Sequence, residues 1–169
     1  MRLSRSVYAM ILALVGCATE LRQRQEMPLI SGDGYQGVPI PIEMAQSFSH
    51  LSRRYDGFWL PDCTDIAEAE SQIAAYLARA EADGALDGYT RQQLPAIRAK
   101  LDRYRRQYVG GLVGTEKRIY CNVLTTDSTR FRNWRSRYIY LIEGAPDCWR
   151  IEYVPEAHRC LGFSADFGY

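Results

Sequence analysis

The stretch LPAIRAKLDRYRRQYVGGLVG, residues 94–114, decides where helix gives way to strand. Leu94, Ile97, Leu101, Tyr104 and Tyr108 recur at steps of three and four, the spacing that lines one face of a helix. With Thr90 and Gln93 as a capping box, the run predicts a helix from about Thr90 to Tyr108. Pro95 falls near the first turn, where a missing donor costs little, so the start can be as late as Leu94. Gly110-Gly111 would end it. Gly110 to Gly114 offers neither the lysine nor the hydroxyl of a phosphate loop and reads as the break between a helical and a sheet half.

Upstream, Asp65 and Glu68 fit a capping box, and Ile66, Ala69, Ile73, Tyr76, Leu77 and Ala80 keep one apolar stripe. This predicts a helix from about Asp65 to Asp83, stopped by Gly84. It carries Asp65, Glu68, Glu70, Glu81 and Asp83 against Arg79; its successor carries Arg91, Arg98, Lys100, Arg103, Arg105 and Arg106 against Asp102. The two would pack as an antiparallel hairpin with opposite charges flanking an apolar seam. Surface ion pairs contribute only ~0 to 1 kcal/mol each, so burial of Ile73, Leu77, Ile97 and Leu101 must dominate.

Downstream the period changes to two. Ile119, Cys121 and Val123 alternate with Tyr120 and Asn122; Trp134, Tyr138, Tyr140 and Ile142 with Arg135, Arg137 and Leu141; Trp149, Ile151 and Tyr153 with Arg150 and Glu152. Three strands follow, with a fourth at Arg159 to Phe163 and turns at residues 144–147 and 155–158. The expected fold is α+β, a helical hairpin packed on a curved antiparallel sheet of about four strands, in two layers. The element order over residues 65–169 resembles the cone-shaped nuclear-transport-factor-2-like and cystatin-like groups. That resemblance implies enzymes, ligand binders and assembly domains alike, so it selects no function.

Before the helices, Phe48, Leu51, Tyr55, Phe58 and Trp59 form an apolar-aromatic group that closes part of a core, with an aromatic binding platform as the alternative. Residues 17–49 read as a tether and irregular lead-in, because Gly32, Gly34, Gly37, Pro39 and Pro41 oppose regular structure. Asp33-Gly34 reads as a turn, since the further oxygen ligands and closing Glu of a calcium loop are absent.

The first sixteen residues follow export grammar: Arg2 and Arg5, then an apolar run from Val7 to Val15. As a helix that run is about 13 Å long against a hydrocarbon core of about 30 Å, too short to span. Leu14-Val15-Gly16-Cys17 resembles the lipobox of bacterial lipoproteins. The resemblance implies cleavage before Cys17, a diacylglyceryl group on its sulfur and acylation of its new amino group, and two chains anchor a protein stably. Ala18, where an Asp would favour inner-membrane retention, implies the outer membrane, facing the periplasm. The organisation expected is a signal peptide at 1–16, a lipidated tether at 17–49 and a single α+β domain at 50–169.

Without the leader, 169 minus 16 leaves 153 residues, enough for one core. Hydrophobic residues at 47% and charged residues at 24% exclude a disordered chain. The 21 basic and 20 acidic residues become 19 and 20 once Arg2 and Arg5 are removed, so global charge names no partner. With Cys17 assigned to lipid, Cys63, Cys121, Cys148 and Cys160 form an even set, and an oxidising compartment implies two disulfides. A tight hairpin near Glu156 would set Tyr153 beside Cys160 and leave Cys148 out of register, which favours Cys63 joining Cys148 or Cys160. Zinc would want close pairs; there is no C-x-x-C, and His158 with Cys160 is too little.

No hydrolase, metalloprotease or phosphate-loop motif occurs, and the two histidines, His50 and His158, sit in loop-like contexts. The expectation is a protein that is not an enzyme and needs no metal or cofactor. Arg130, Arg132, Arg135 and Arg137, interleaved with Phe131, Trp134 and Tyr138, look like a nucleic-acid surface, but an exported domain does not meet nucleic acid. Arg130, Arg132, Trp134, Arg135 and Arg137 are therefore the candidate surface for an envelope protein or anionic envelope polymer, with the wet face of a half-buried strand as the plain alternative. Two other functions stay open: a small-ligand pocket lined by Trp149, Tyr138 and Tyr140, and a cell-envelope hydrolase using His158 or His50.

Overall fold

Residues 104–113, expected to end a helix and break the chain, form the central strand of a seven-stranded sheet. The computed structural model describes residues 26–80, 86, 88–140 and 148–166. The leader, the lipobox, Cys17, the expected helix stop at Gly84 and the turn at residues 144–147 lie outside the described residues.

In chain order the elements are β1 (Ile30–Gly32), β2 (Tyr35–Pro39), α1 (Ile42–Gln46), α2 (Ser49–Arg54), β3 (Gly57–Trp59), α3 (Cys63–Ala80), α4 (Gly88–Arg98), β4 (Tyr104–Val113), β5 (Glu116–Thr125), β6 (Cys148–Val154) and β7 (Arg159–Asp166). The sheet runs β1-β2-β4-β5-β6-β7. Its pairings are antiparallel except β2 with β4. β2 pairs with Arg105–Tyr108 and β3 with Gly110–Leu112, so the two lie end to end along one edge of β4. The α+β class holds, with more strands than the four expected. Three further strands, β1 to β3, precede α3, outside the span 65–169 whose element order carries the cone-fold resemblance.

The sheet is covered on both faces, which replaces the two-layer arrangement with three layers. Tyr104, Tyr108, Ile119, Cys121, Val123, Trp149, Ile151 and Tyr153 pack on one face with Ile66, Ile73 and Leu77 of α3 and Leu94 and Ile97 of α4. Full burial of each such aliphatic side chain is worth about 1.5–3 kcal/mol. On the other face Val109, Tyr120, Leu124 and Cys148 meet Ala45 of α1, Leu51 of α2 and Phe131, Trp134, Tyr138 and Ile139 of the loop 126–140. Strands so covered do not alternate wet and dry, so half-buried patterning undercounts them.

Four corrections follow. α4 ends at Arg98, because Tyr104 and Tyr108 satisfy strand alternation as well as helical spacing and their strand is paired along its length with β5. Gly110-Gly111 is no break: a Cβ at Gly110 would overlap the Trp59 carbonyl oxygen, and one at Gly111 would run into the Tyr55 ring. Residues 30–46, expected within the tether, supply β1, β2 and α1 to the domain. Residues 134–140, expected within a strand, are not strand: 132–136 are turns, with Arg132, Trp134 and Ser136 N–H groups donating to carbonyls three residues back, and 138–140 have no regular structure.

α3 also starts earlier than its expected cap. The Asp62 carboxylate accepts from the N–H groups of Thr64 and Asp65 at 2.8 and 2.9 Å, and that of Asp65 accepts from Asp62 N–H at 2.9 Å. This is a reciprocal capping box one turn before the Asp65 and Glu68 pair. Among the described residues no helix is long and apolar enough to cross a membrane.

Candidate functional site

The candidate surface of the loop 126–140 divides in two. Arg130, Arg132 and Arg137 are exposed, and Arg135 is half-buried with its guanidinium 3.0 Å from the Glu26 carboxylate. Trp134 is only 5% exposed, so it anchors the loop instead of contacting a partner. The Gln107 amide donates to the Trp134 and Arg137 carbonyls at 2.7 and 2.8 Å, and its oxygen accepts from Ile139 N–H at 2.8 Å. Arg105 from β4 lies over the Trp134 ring at 5.6 Å.

No two of the cysteines Cys63, Cys121, Cys148 and Cys160 are joined by a disulfide in this structure. Cys121 faces the α3 side of the sheet and Cys148 the opposite side, Cys160 is on β7 with β6 between it and β5, and Cys63 is exposed at the start of α3. A sheet separates the first two, and two strand spacings of ~4.8 Å exceed the Cα separation a disulfide allows between Cys121 and Cys160.

A cleft of about 540 Å³ opens on the side of the sheet covered by α2. His50 and Arg54 line it from α2, Tyr120 from β5, Arg150 from β6, Phe163 and Ser164 from β7, and Tyr140 from the end of the loop. Local structure explains its shape. Arg150 pairs with Ser164 but Glu152 with Leu161, so Gly162 and Phe163 oppose Ile151 alone. Gly162 makes this bulge at φ 59°, which an L side chain adopts only with strain. Bulges of this kind re-aim side chains, and here the bulge borders the cleft on the β7 side.

Charge in the cleft is fixed from below. The buried Glu152 carboxylate accepts from Arg54 Nε at 2.6 Å and from the Tyr55 hydroxyl, while Arg118 reaches its other oxygen at 3.4 Å. Burial works to raise the Glu152 pKa, but the hydrogen bonds from Arg54 and Tyr55 and the two guanidinium charges outweigh it and hold it below the usual value. Arg54 also lies 5.6 Å over the Tyr120 ring. The Tyr120 hydroxyl is hydrogen-bonded to Arg150 and Tyr138, and burial pushes its pKa up. The Tyr138 hydroxyl is 3.4 Å from His50 Nε2, and the His50 ring lies 4.1 Å from that of Tyr140. Burial first, then the charges of Arg150 and Arg54, lower the His50 pKa and favour a neutral ring. The arrangement presents two guanidinium groups between aromatic walls, suited to holding an anion beside a planar group.

A second cavity, about 570 Å³, lies beneath the β1–β2 turn, with Glu70 and Arg106 among its lining. Arg106 Nε is 3.0 Å from Glu70, its other nitrogens donate to the Tyr104 and Leu101 carbonyls at 2.9 Å, and Tyr108 OH donates to Glu70 at 2.9 Å. Partners within the protein engage both heads, so this pair fastens α3 to β4. Burial raises the Glu70 pKa more than Arg106, Tyr108 and Cys121 lower it.

A third cluster joins helix and sheet. Glu68 lies 2.6 Å from His158 Nδ1 and accepts from Tyr153 OH at 2.9 Å; Tyr153 OH is 3.3 Å from the same ring nitrogen. A carboxylate orienting a histidine is half of a hydrolytic site, but the hydroxyl that reaches this ring belongs to a buried tyrosine whose pKa burial raises. Glu68 and His158 are solvent-accessible, at 39% and 68% of their side chains, so nothing dries the pair. Among the described residues no three His, Cys, Asp or Glu side chains are placed to hold a metal.

Trp149 of the expected small-ligand pocket packs between Tyr104 and Phe163 on the α3 side, Tyr138 is buried beneath the cleft, and Tyr140 lines it. Sequence reasoning missed Arg54, Arg150 and Tyr120. No family model matches the chain, and neither a curated protein nor a solved structure does. A functional reading is therefore carried by this chain's own side chains.

Proposed function

We propose that this is an exported binding protein, anchored in the cell envelope through a lipid on Cys17, whose domain holds a small anionic ligand in the cleft between His50 and Arg150. The observation that carries the reading is the convergence of Arg54 and Arg150 with His50, Tyr120 and Tyr140 on one cleft bordered by a β-bulge. Its volume falls within the ~300–1,000 Å³ of small-molecule sites. Binding without chemistry fits a site that offers donors and ring faces but no activated nucleophile. Accessory duty in a larger envelope assembly is compatible with this, since a tethered binder presents its ligand at a fixed surface.

Calorimetric titration with benzoate and with inorganic phosphate tests the cleft. Saturable binding of either at low salt, abolished in Arg150→Ala, is expected; no binding of both, or equal binding by the variant, overturns the reading. Cys17→Ser tests the anchor. Lost lipid labelling and release from membranes are expected, and unchanged labelling and fractionation refute it.

A further inference from the structure

Where the chain enters the fold, it is fastened to the arginine loop. The N–H of Met27 donates to the Arg135 carbonyl at 2.6 Å, and the Arg135 guanidinium holds the Glu26 carboxylate at 3.0 Å. Met27 is buried among the residues that pack that face of the sheet. Gln107 and Asn122 fix the loop in turn, through the Trp134, Arg137 and Ile139 carbonyls. The chain's entry at Met27 is therefore tied to the loop that carries the exposed Arg130, Arg132 and Arg137.

Covalent geometry limits how far this end can stand from a lipid on Cys17. Ten residue steps separate Cys17 from Met27, at most about 35 Å when fully extended. Charge and shape then select the contact. Residues 126–140 contain four arginines and a single acid, Asp127, and the nearby Glu26 is engaged by Arg135. Phe131, Trp134 and Tyr138 face inward and the exposed Tyr140 lines the cleft at the loop's end, so the stretch from Arg130 to Arg137 presents guanidinium groups without a central apolar anchor of the kind protein interfaces use. A layer of anionic headgroups needs no such anchor.

We infer that this loop is the face the domain turns to the membrane, with Arg130, Arg132 and Arg137 resting on anionic phospholipid headgroups of the leaflet that holds the Cys17 lipid. The orientation rests on the anchored reading of Cys17; attraction of the loop for anionic headgroups does not. Lipid and loop act together, one preventing escape and the other fixing which face looks down.

The test is sedimentation with vesicles, using a chain that begins at residue 17 and carries Cys17→Ser, which keeps every described residue. Binding to vesicles of mixed phosphatidylcholine and phosphatidylglycerol, absent with phosphatidylcholine alone and weakened by salt, is expected. Each arginine at an anionic surface is worth roughly a fivefold change in partition, so Arg130→Gln, Arg132→Gln and Arg137→Gln together should lower it about a hundredfold. A matched control, Arg91→Gln, Arg98→Gln and Arg103→Gln at α4 and the turn after it, should keep most of the binding. Equal binding to both vesicle types, or equal losses from the two triple variants, overturns the inference. Lipid labelling of Cys17 in cells separates the two readings: labelling without headgroup preference sinks the loop, and preference without labelling sinks the anchor.

Discussion

Gln107 of β4 and Asn122 of β5 are register partners across the sheet, and between them they hold four backbone groups of the loop 134–139. Their side chains also meet, Asn122 Nδ2 donating to Gln107 Oε1 at 3.3 Å. Two carboxamides thus replace the strand pairing that residues 134–140 lack. Because both are buried, removing one strands carbonyls as well as losing bonds. Gln107→Ala should cost about 2–4 kcal/mol of unfolding free energy. Asn122→Ala should cost less, and the double variant should fall short of the sum by at least ~0.5 kcal/mol. Denaturant unfolding measures all three, and strict additivity would show that the amides act separately.

Two buried glutamates should respond to acid in opposite directions. Glu152 lies below its ordinary 4.5 because Arg54 and Tyr55 hydrogen-bond its charged form against the pull of burial. Its contribution is present above 4.5 and lost as pH falls through the lower folded value. Glu70 lies above 4.5 because burial outweighs Arg106. Its contribution is greatest below 4.5 and declines as pH rises through the folded value. On acidification, wild type should therefore lose its advantage over Glu152→Gln and gain relative to Glu70→Gln. Stability measured against pH for the three proteins decides this, and slopes of one sign would contradict it. At neutral pH, Arg106→Ala leaves the buried Glu70 without its cation and should cost about 3–5 kcal/mol.

What the sequence could convey differs between the two halves of this ion pair. Glu70 is in phase with the apolar stripe, four residues after Ile66 and three before Ile73, a spacing that marks it for burial although its charge alone set it on the flank of the seam. Arg106 was not, because Arg105, Arg106 and Gln107 look solvated until Glu70 and the loop backbone are brought to them. Tyr104 and Tyr108, four apart, satisfy both periods, and only pairing with β5 chooses strand. In the loop the alternation around Trp134 imitates a strand, whereas its inward residues, Phe131, Trp134 and Tyr138, follow steps of three and four. The cleft left no local trace, since His50 and Arg150 are brought together by topology alone.

The placement of the cysteines makes a prediction about thiol counting. Cys63 is exposed, Cys160 half-buried, and Cys121 and Cys148 wholly buried. Burial pushes the Cys160 thiol up to about 12, so little thiolate is present at neutral pH. In the chain that begins at residue 17 with Cys17→Ser, prepared without reductant, native labelling should be fast at Cys63, slow at Cys160 and absent at Cys121 and Cys148. Unfolding should reveal all four. A count of two or none after unfolding would restore the disulfides.

His50 should make anion binding depend on pH. Its folded pKa is lowered by burial and by Arg150 and Arg54, so the ring is neutral at neutral pH and gains a proton as pH falls through that lowered value. The other groups around it do not compete in this range: Tyr120 and Tyr138 are raised by burial, and Glu152 is held ionised beneath Arg54. A bound anion favours the protonated ring, and linkage requires the proton to favour the anion equally. Benzoate stays anionic across this window, so the slope belongs to the protein. Its affinity should rise by roughly threefold to tenfold as pH falls from alkaline values through the lowered His50 value, as expected for one added charge in a partly exposed cleft. In His50→Gln the affinity should be flat with pH and close to the wild-type value at the alkaline end. Loss of affinity at every pH would assign His50 to shaping the cleft instead, and a slope that survives the substitution would place the titrating group elsewhere.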